Sequence, residues 1–152
     1  MHFNFKPMNE QEAHAIAKWH YQSPYTFYDA DQDPNDLAEL LDPQSWQETY
    51  HSVLDEQDEL IGFFTFKKDG NTVEIGLGLR PDLTGKGIGL EFVRAGLAFA
   101  RDKYSPTSFR LQVVTFNQRA IQVYEKAGFH PVRVYMHTTN GGEYEFLEMT
   151  MS

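Results

Sequence analysis

The chain has 152 residues and a net charge of −9, with 13 Lys and Arg against 22 Asp and Glu. Its length predicts a single domain over residues 1–152 that is large enough to bury a core. No stretch reaches the roughly 20 apolar residues that span a bilayer, and the first residues lack the pattern of a signal peptide. The absence of cysteine excludes disulfides and thiolate chemistry. We therefore expect a cytoplasmic protein with no membrane partner.

The basic residues are scattered along the sequence rather than clustered. Binding to nucleic acid needs a concentrated patch of Lys and Arg, so we expect no nucleic-acid partner. An excess of negative charge can attract a cationic substrate, or it can serve only solubility. Both explanations stay open at this point.

Hydrophobic periodicity predicts the elements of the first half of the chain. Apolar residues at helical spacing predict a helix over Glu12–Tyr21, and a cap signal before Leu37 predicts a second, short helix over Asp36–Leu41. The segment 22–36 has the composition of a loop. Strands are predicted over 2–6, 46–54, 59–67 and 72–80.

The second half begins with a long amphipathic helix over 87–102, in which Gly96 would let the helix lie close against a sheet. The next helix would be capped by Asn117 at its start and would end before Gly128. The remaining strands are predicted over 108–116, 129–137 and 143–151. The resulting order, β-α-α-β-β-β-α-β-α-β-β, is that of a mixed α/β domain.

A glycine-rich loop immediately precedes the long helix, where Gly85, Gly87 and Gly89 alternate with Lys86 and Ile88. Glycines before a helix leave the unpaired N–H groups of the first turn open to a phosphate or diphosphate. A P-loop would need Ser or Thr after the lysine, and a dinucleotide fingerprint would need G-x-G-x-x-G. Neither pattern fits, so the loop is predicted to bind a diphosphate of another kind.

The segment LRPDLTGKGIG, residues 79–89, resembles the acetyl-CoA loop V-x-P-x-x-R-G-x-G-x-G of the GCN5-related N-acetyltransferases (GNAT). A second family pattern, N-x-x-A-x-x-x-Y-x-x-x-G-F, is filled by Asn117, Ala120, Tyr124, Gly128 and Phe129. Thr84 stands where the family usually has Arg or Gln. Because Thr84 contributes no charge, we expect somewhat weaker CoA binding.

The resemblance implies a mostly antiparallel sheet of six to seven strands, flanked by about four helices, with a V-shaped splay between strands 4 and 5. It also implies direct transfer of an acetyl group from acetyl-CoA to a primary amine. The amine could be a small molecule or a peptide. No metal is expected, because His14 and His20 lack the spacing of metal ligands.

The family pattern places a general acid for the departing thiolate at Tyr124. Glu74 is the candidate base, acting directly or through water, because it shares a strand face with Gly76 and Gly78, where a ligand could lie. The first long loop would line the amine pocket with Tyr25, Phe27 and Tyr28. The expected cofactor-binding residues are Leu77, Gly78, Leu79, Thr84, Gly85, Lys86, Gly87, Ile88, Gly89, Asn117 and Tyr124.

Several alternatives remain open from the sequence. The chain could be a non-catalytic CoA-binding or regulatory domain of the same fold. Tyr124 could be only a packed aromatic residue, and Glu74 could be only a solvated carboxylate. Asn117 could cap its helix, touch the cofactor, or do both. The protein could be a monomer, or a homodimer formed through its last strand.

Overall fold

The computed structural model describes residues 2–46 and 48–152. The strands are β1 Asn4–Pro7, β2 Tyr50–Leu54, β3 Leu60–Asp69, β4 Thr72–Leu79, β5 Ser108–Val114, β6 His130–Thr139 and β7 Gly142–Met151. The helices are α1 Glu10–Ala17, α2 Pro34–Leu41, α3 Pro43–Trp46, α4 Gly89–Tyr104 and α5 Gln118–Ala127. In the described part of the chain, no helix combines the length and apolarity of a membrane span.

All seven strands form one sheet in the order β1-β2-β3-β4-β5-β7-β6. Every neighbouring pair is antiparallel except β4 and β5, which run parallel. The β4–β5 ladder has only three residue pairs and ends at Glu74↔Arg110. Beyond that pair the two strands diverge, which opens a V-shaped gap in the sheet. The predicted mixed α/β fold and its splay are therefore confirmed.

Helix α1 begins earlier and ends earlier than predicted. Asn9 caps it: the Asn9 side chain accepts the backbone N–H of Glu12 at 2.8 Å, and the Glu12 carboxylate accepts the backbone N–H of Asn9 at 3.1 Å. At the other end, the backbone N–H groups of Lys18 and Trp19 donate to carbonyl groups three residues earlier, and the helix ends there. The predicted range Glu12–Tyr21 was wrong at both ends.

The strand predicted over 46–54 is shorter than expected, and its residue Gln47 lies outside the described residues. Trp46 ends the short helix α3, and its indole N–H donates to the Leu40 carbonyl at 3.0 Å. The ring is buried in a small core beneath α1 and α2. Because burial of this large ring outweighs its local strand preference, the strand starts only at Tyr50.

The main core lies on the other face of the sheet, under α4 and α5. Gly96 of α4 faces the fully buried ring of Phe64 on β3, and a Cβ at Gly96 would overlap that ring. The close approach predicted for Gly96 is thus present. It brings α4 down onto the sheet and so fixes where the glycine loop before α4 lies.

The methyl added in Gly96→Ala overpacks a rigid core, at a cost of about 1–3 kcal/mol. Alanine regains ~1 kcal/mol over glycine in a helix, so the free energy of unfolding should fall by up to about 2 kcal/mol. The comparison variant is Gly89→Ala, where a Cβ would find an ordinary contact of 3.6 Å with Val123. Urea unfolding of both variants measures the difference. Equal stability of the two would show that α4 can move away from Phe64.

Candidate active site

The glycine loop has the backbone geometry of an anion site. Gly85 and Gly87 adopt left-handed φ angles of +72° and +81°, which favour glycine. Helix α4 then begins at Gly89, and no side chain caps its first turn within the described residues. The backbone N–H groups of Gly89 and Leu90 therefore lack a side-chain cap at the positive end of the helix dipole, where an anion binds favourably.

The side chains beside the loop are held among themselves. The Thr84 hydroxyl donates to the Pro81 carbonyl at 2.8 Å. Arg80 forms a forked pair with the carboxylate of Asp82, at 2.6 and 3.1 Å, and donates to the Leu60 carbonyl at 3.1 Å. These bonds brace the loop, and they direct both Thr84 and Arg80 toward the protein.

The open edge of β4 supplies the strand that the cofactor arm was expected to follow. Leu77, Gly78 and Leu79 lie beyond the last β4–β5 pair and have no partner on β5. The Tyr21 hydroxyl donates to the Leu79 carbonyl at 2.7 Å, and burial raises the pKa of Tyr21. This bond fastens the loop after α1 to the end of β4.

The strand face around Gly76 and Gly78 is less open than the sequence suggested. A Cβ at Gly76 would lie 2.5 Å from the Thr65 hydroxyl, and one at Gly78 would lie 2.5 Å from the Phe63 ring. The space left by these two glycines is therefore filled by β3 side chains. Gly76 nevertheless lines a cavity on this face, and the prediction that a ligand lies there stays a prediction.

Glu74 nevertheless borders a cavity at the apex of the splay. Its carboxylate accepts a bond from Arg110 Nε at 2.7 Å and one from Gln112 Nε2 at 3.2 Å. The cavity has a volume of about 190 Å³ and is lined by Thr65, Lys67, Glu74, Ile75, Gly76 and Gln112. Glu74 is thus a carboxylate held by two donors at the edge of a small polar cavity.

Sequence reasoning missed Arg110 and Gln112. The signal was present in SFRLQVV, where these two polar residues alternate with buried Phe109, Leu111 and Val113. Alternation places both polar residues on one face of β5. Only the pairing of β4 with β5 shows that this face meets Glu74.

Tyr124 lies on α5 and packs against Phe129, with 6.1 Å between the ring centroids. Burial is the main cause that raises the pKa of Tyr124, and the neighbouring Tyr28 raises it further. The phenol is therefore protonated at neutral pH. This is the state that a proton donor to a thiolate requires.

The predicted capping role of Asn117 is confirmed: its side-chain oxygen accepts a hydrogen bond from the Ala120 backbone N–H at 3.1 Å. Its amide nitrogen donates to the Tyr28 hydroxyl at 2.9 Å. Although Tyr28 as a whole is 40% exposed, desolvation around its hydroxyl raises the pKa of Tyr28 to about 12. The predicted contact of Asn117 with the cofactor stays a prediction.

The aromatic loop from Tyr25 to Tyr28 is tied to the far end of the sheet. Phe27 packs edge-on against Tyr144 of β7, at 4.7 Å between centroids, and its carbonyl accepts a bond from Asn140 at 2.7 Å. Tyr25 lies under the Arg119 guanidinium at 4.3 Å. The loop is therefore held against the β6–β7 hairpin through Phe27 and against the start of α5 through Tyr25.

A group of His20, Asp29 and Asp31 comes together beside this loop, although the sequence spacing did not indicate it. One candidate ligand atom from each lies within 4.8 Å of the others. The buried Asp29 already accepts His20 Nδ1 at 3.0 Å and the Tyr21 backbone N–H at 2.8 Å. The bond to Asp29 raises the pKa of His20. These contacts give the group a structural role in shaping the loop.

Comparison with known proteins places this geometry in a family. Residues 2–130 match the model of the acetyltransferase (GNAT) domain. Among curated proteins, no sequence matches the chain. The fold resembles the spermidine N-acetyltransferase from Vibrio cholerae in complex with CoA and spermine, with a TM-score of 0.78, 17% identity, and coverage of 98% of this chain and 94% of that one.

It also resembles an acetyltransferase (GNAT family) from Bacillus anthracis, with a TM-score of 0.74, 15% identity, and coverage of 99% and 95% of the two chains. At such low identity these structures demonstrate a shared fold alone. The family model covers most of the chain and matches both the glycine loop and the Asn117–Phe129 region. The chain therefore belongs to the GNAT family of acetyl-CoA-dependent N-acetyltransferases.

Proposed function

We propose that the protein transfers an acetyl group from acetyl-CoA to a primary amine on a small, cationic molecule, by direct attack of the amine. The observation that carries the proposal is the place where the β4–β5 ladder ends. There, Glu74 and its cavity lie at the apex of the splay, and the uncapped start of α4 follows the open end of β4. The glycine loop follows one end of the open edge of β4 and the polar cavity lies at the other, which supports a diphosphate at the first and the amine at the second.

Acetyl-CoA supplies the acetyl group as a thioester. The glycine loop and the first turn of α4 bind its diphosphate through backbone N–H groups. Leu77, Gly78 and Leu79 offer their backbone groups along the gap. A backbone N–H on this strand is placed to stabilise the negative charge that develops on the carbonyl oxygen.

Glu74 accepts a proton from the ammonium, directly or through water, so that the neutral amine can attack the thioester carbonyl. The bonds from Arg110 and Gln112 fix the carboxylate at the cavity wall. Tyr124 donates a proton to the departing sulfur from the α5 side of the gap. Tyr25, Phe27 and Tyr28 form the aromatic side of the amine entrance.

The preference for a cationic amine is supported by the three carboxylates Asp33, Asp36 and Glu39, which interact with one another at α2. Desolvation of the Asp36 carboxyl raises its pKa, and the charges of Asp33 and Glu39 raise it further. The charge of Lys67, which lines the cavity, lowers the pKa of Asp36. An amine with a second positive charge would therefore find compensation near Asp36, and the similar Vibrio enzyme was solved with spermine.

The test is a CoA-release assay across amine classes. It compares polyamines, monoamines of equal length, aminoglycosides, and peptides with free N-termini or lysines. We expect polyamines to give higher kcat/KM than monoamines, and we expect added salt to reduce the difference. If CoA binds but no amine is acetylated, the non-catalytic CoA-binding domain is the better description.

A further inference from the structure

The side chains beside the glycine loop determine which positive charges a bound diphosphate would meet. A cationic side chain binds a phosphate more strongly than a neutral N–H group does, because its hydrogen bonds are charge-assisted. Thr84 donates to Pro81, and Arg80 pairs with Asp82 and Leu60. Both side chains are therefore already used within the protein.

Arg119, in the first turn of α5, lies beside the glycine loop at Gly85. A Cβ at Gly85 would lie 3.1 Å from Arg119 Nη1, so the guanidinium lies directly against the loop backbone. Among the described residues, no carboxylate forms an ion pair with Arg119. In the described part of the chain, the guanidinium thus lies against the loop without a carboxylate partner.

The guanidinium is also held in place. It stacks on the Tyr25 ring, with 4.3 Å from Cζ to the ring centroid, which leaves the N–H groups at its edge free to donate. An open cavity of about 440 Å³ lies between Pro81–Thr84 and residues 20–25, with Arg119 in its wall. A forked donor beside a cavity and a glycine loop suits a phosphate oxygen.

We propose that Arg119 is the cationic side chain that contacts the cofactor diphosphate, in place of the charge that Thr84 lacks. This inference rests on the proposed binding of acetyl-CoA in the loop. It also changes the expectation for the loop. With Arg119 in this role, Thr84 does not weaken CoA binding appreciably.

The experiment measures Kd by calorimetry for three ligands: CoA, dephospho-CoA without the 3′-phosphate, and S-acetylpantetheine without the diphosphate. In Arg119→Gln we expect the Kd of CoA and of dephospho-CoA to rise by the same factor, about 10- to 100-fold, as expected for one lost charge-assisted contact. The Kd of S-acetylpantetheine should not change. Arg133→Gln is the matched control, because Arg133 also stacks on a tyrosine, at 4.5 Å from Tyr135, but on the edge strand β6.

Three results would overturn the proposal. One is an unchanged Kd of CoA in Arg119→Gln. Another is an equal loss for S-acetylpantetheine, which would indicate a disturbed fold. The third is a loss for CoA but not for dephospho-CoA, which would place Arg119 at the 3′-phosphate. If the wild-type protein binds no CoA at all, the proposed function fails rather than this assignment.

Thr84→Arg gives an independent check. We expect it to recover at least tenfold in CoA affinity in the Arg119→Gln background and to change the wild-type Kd by less than about threefold, because one contact would then replace the other. Equal gains in both backgrounds would show that the two positions act separately, and the proposal would be wrong. Lys86→Gln, which removes the exposed cation within the loop, should weaken CoA binding less than Arg119→Gln does.

Discussion

Replacing Tyr124 by phenylalanine should lower kcat about 10²- to 10⁴-fold, the range for loss of a general acid, with little change in the KM for acetyl-CoA. The variant keeps the ring that packs against Phe129 and removes only the hydroxyl. Burial raises the pKa of Tyr124, so the wild-type phenol holds its proton until the sulfur departs. Steady-state kinetics and the melting temperature of the same preparation measure the two effects separately.

Tyr104→Phe is the control for this prediction. Tyr104 ends α4, and burial raises the pKa of Tyr104 too, but it lies beside Lys68 and Phe66, away from the open edge of β4. Its kcat should stay within about twofold of wild type, as expected where no acid is lost. A thioester with a more acidic leaving thiol should also reduce the deficit of Tyr124→Phe. A deficit of the same size with every leaving group would contradict the acid role.

Glu74→Gln should lower kcat about 100-fold near neutral pH, because the ammonium then lacks a nearby acceptor for its proton. The deficit should shrink as the pH rises toward the pKa of the amine, since more of the free amine is already neutral. The amide keeps nearly the same volume in the 190 Å³ cavity. Rate profiles between about pH 6.5 and 9.5 measure the effect.

Asp69→Asn separates the chemistry from the ion pair. Asp69 is the second partner of Arg110, with 3.2 Å between Arg110 Nη2 and the Asp69 carboxylate, and it does not line the cavity. Its removal should leave kcat nearly unchanged. Equal losses in Asp69→Asn and Glu74→Gln would mean that Arg110, rather than the carboxylate of Glu74, is what the reaction requires.

The local signals in the sequence determined a large part of this protein. Helix α5 is capped by Asn117 at its start and by Gly128 at its end, as predicted, because caps depend on residues within one turn. The glycine loop was recognisable because glycine is the residue that adopts left-handed φ angles most easily. Gly85 and Gly87 do adopt such angles. Alternation and helical spacing likewise predicted the order of the elements, since each periodicity lies within one segment.

Contacts between distant segments decided the rest. Trp46 left its predicted strand because its burial partner, Leu40, lies on another element. The space at Gly76 is filled by Thr65 of β3, and Glu74 meets Arg110 only through the β4–β5 ladder. No periodicity within a segment encodes such pairings.

The same reason explains why Arg119 was not found from the sequence, although it lies between two residues of a recognised motif. Its closeness to Gly85 depends on the packing of α5 beside the start of α4. The sequence by itself determined the family, the glycine loop and the residue types of the candidate site. The tertiary structure decided which charges surround Glu74 and which cation faces the loop, because side chains from separate elements meet only after the sheet and its helices have packed.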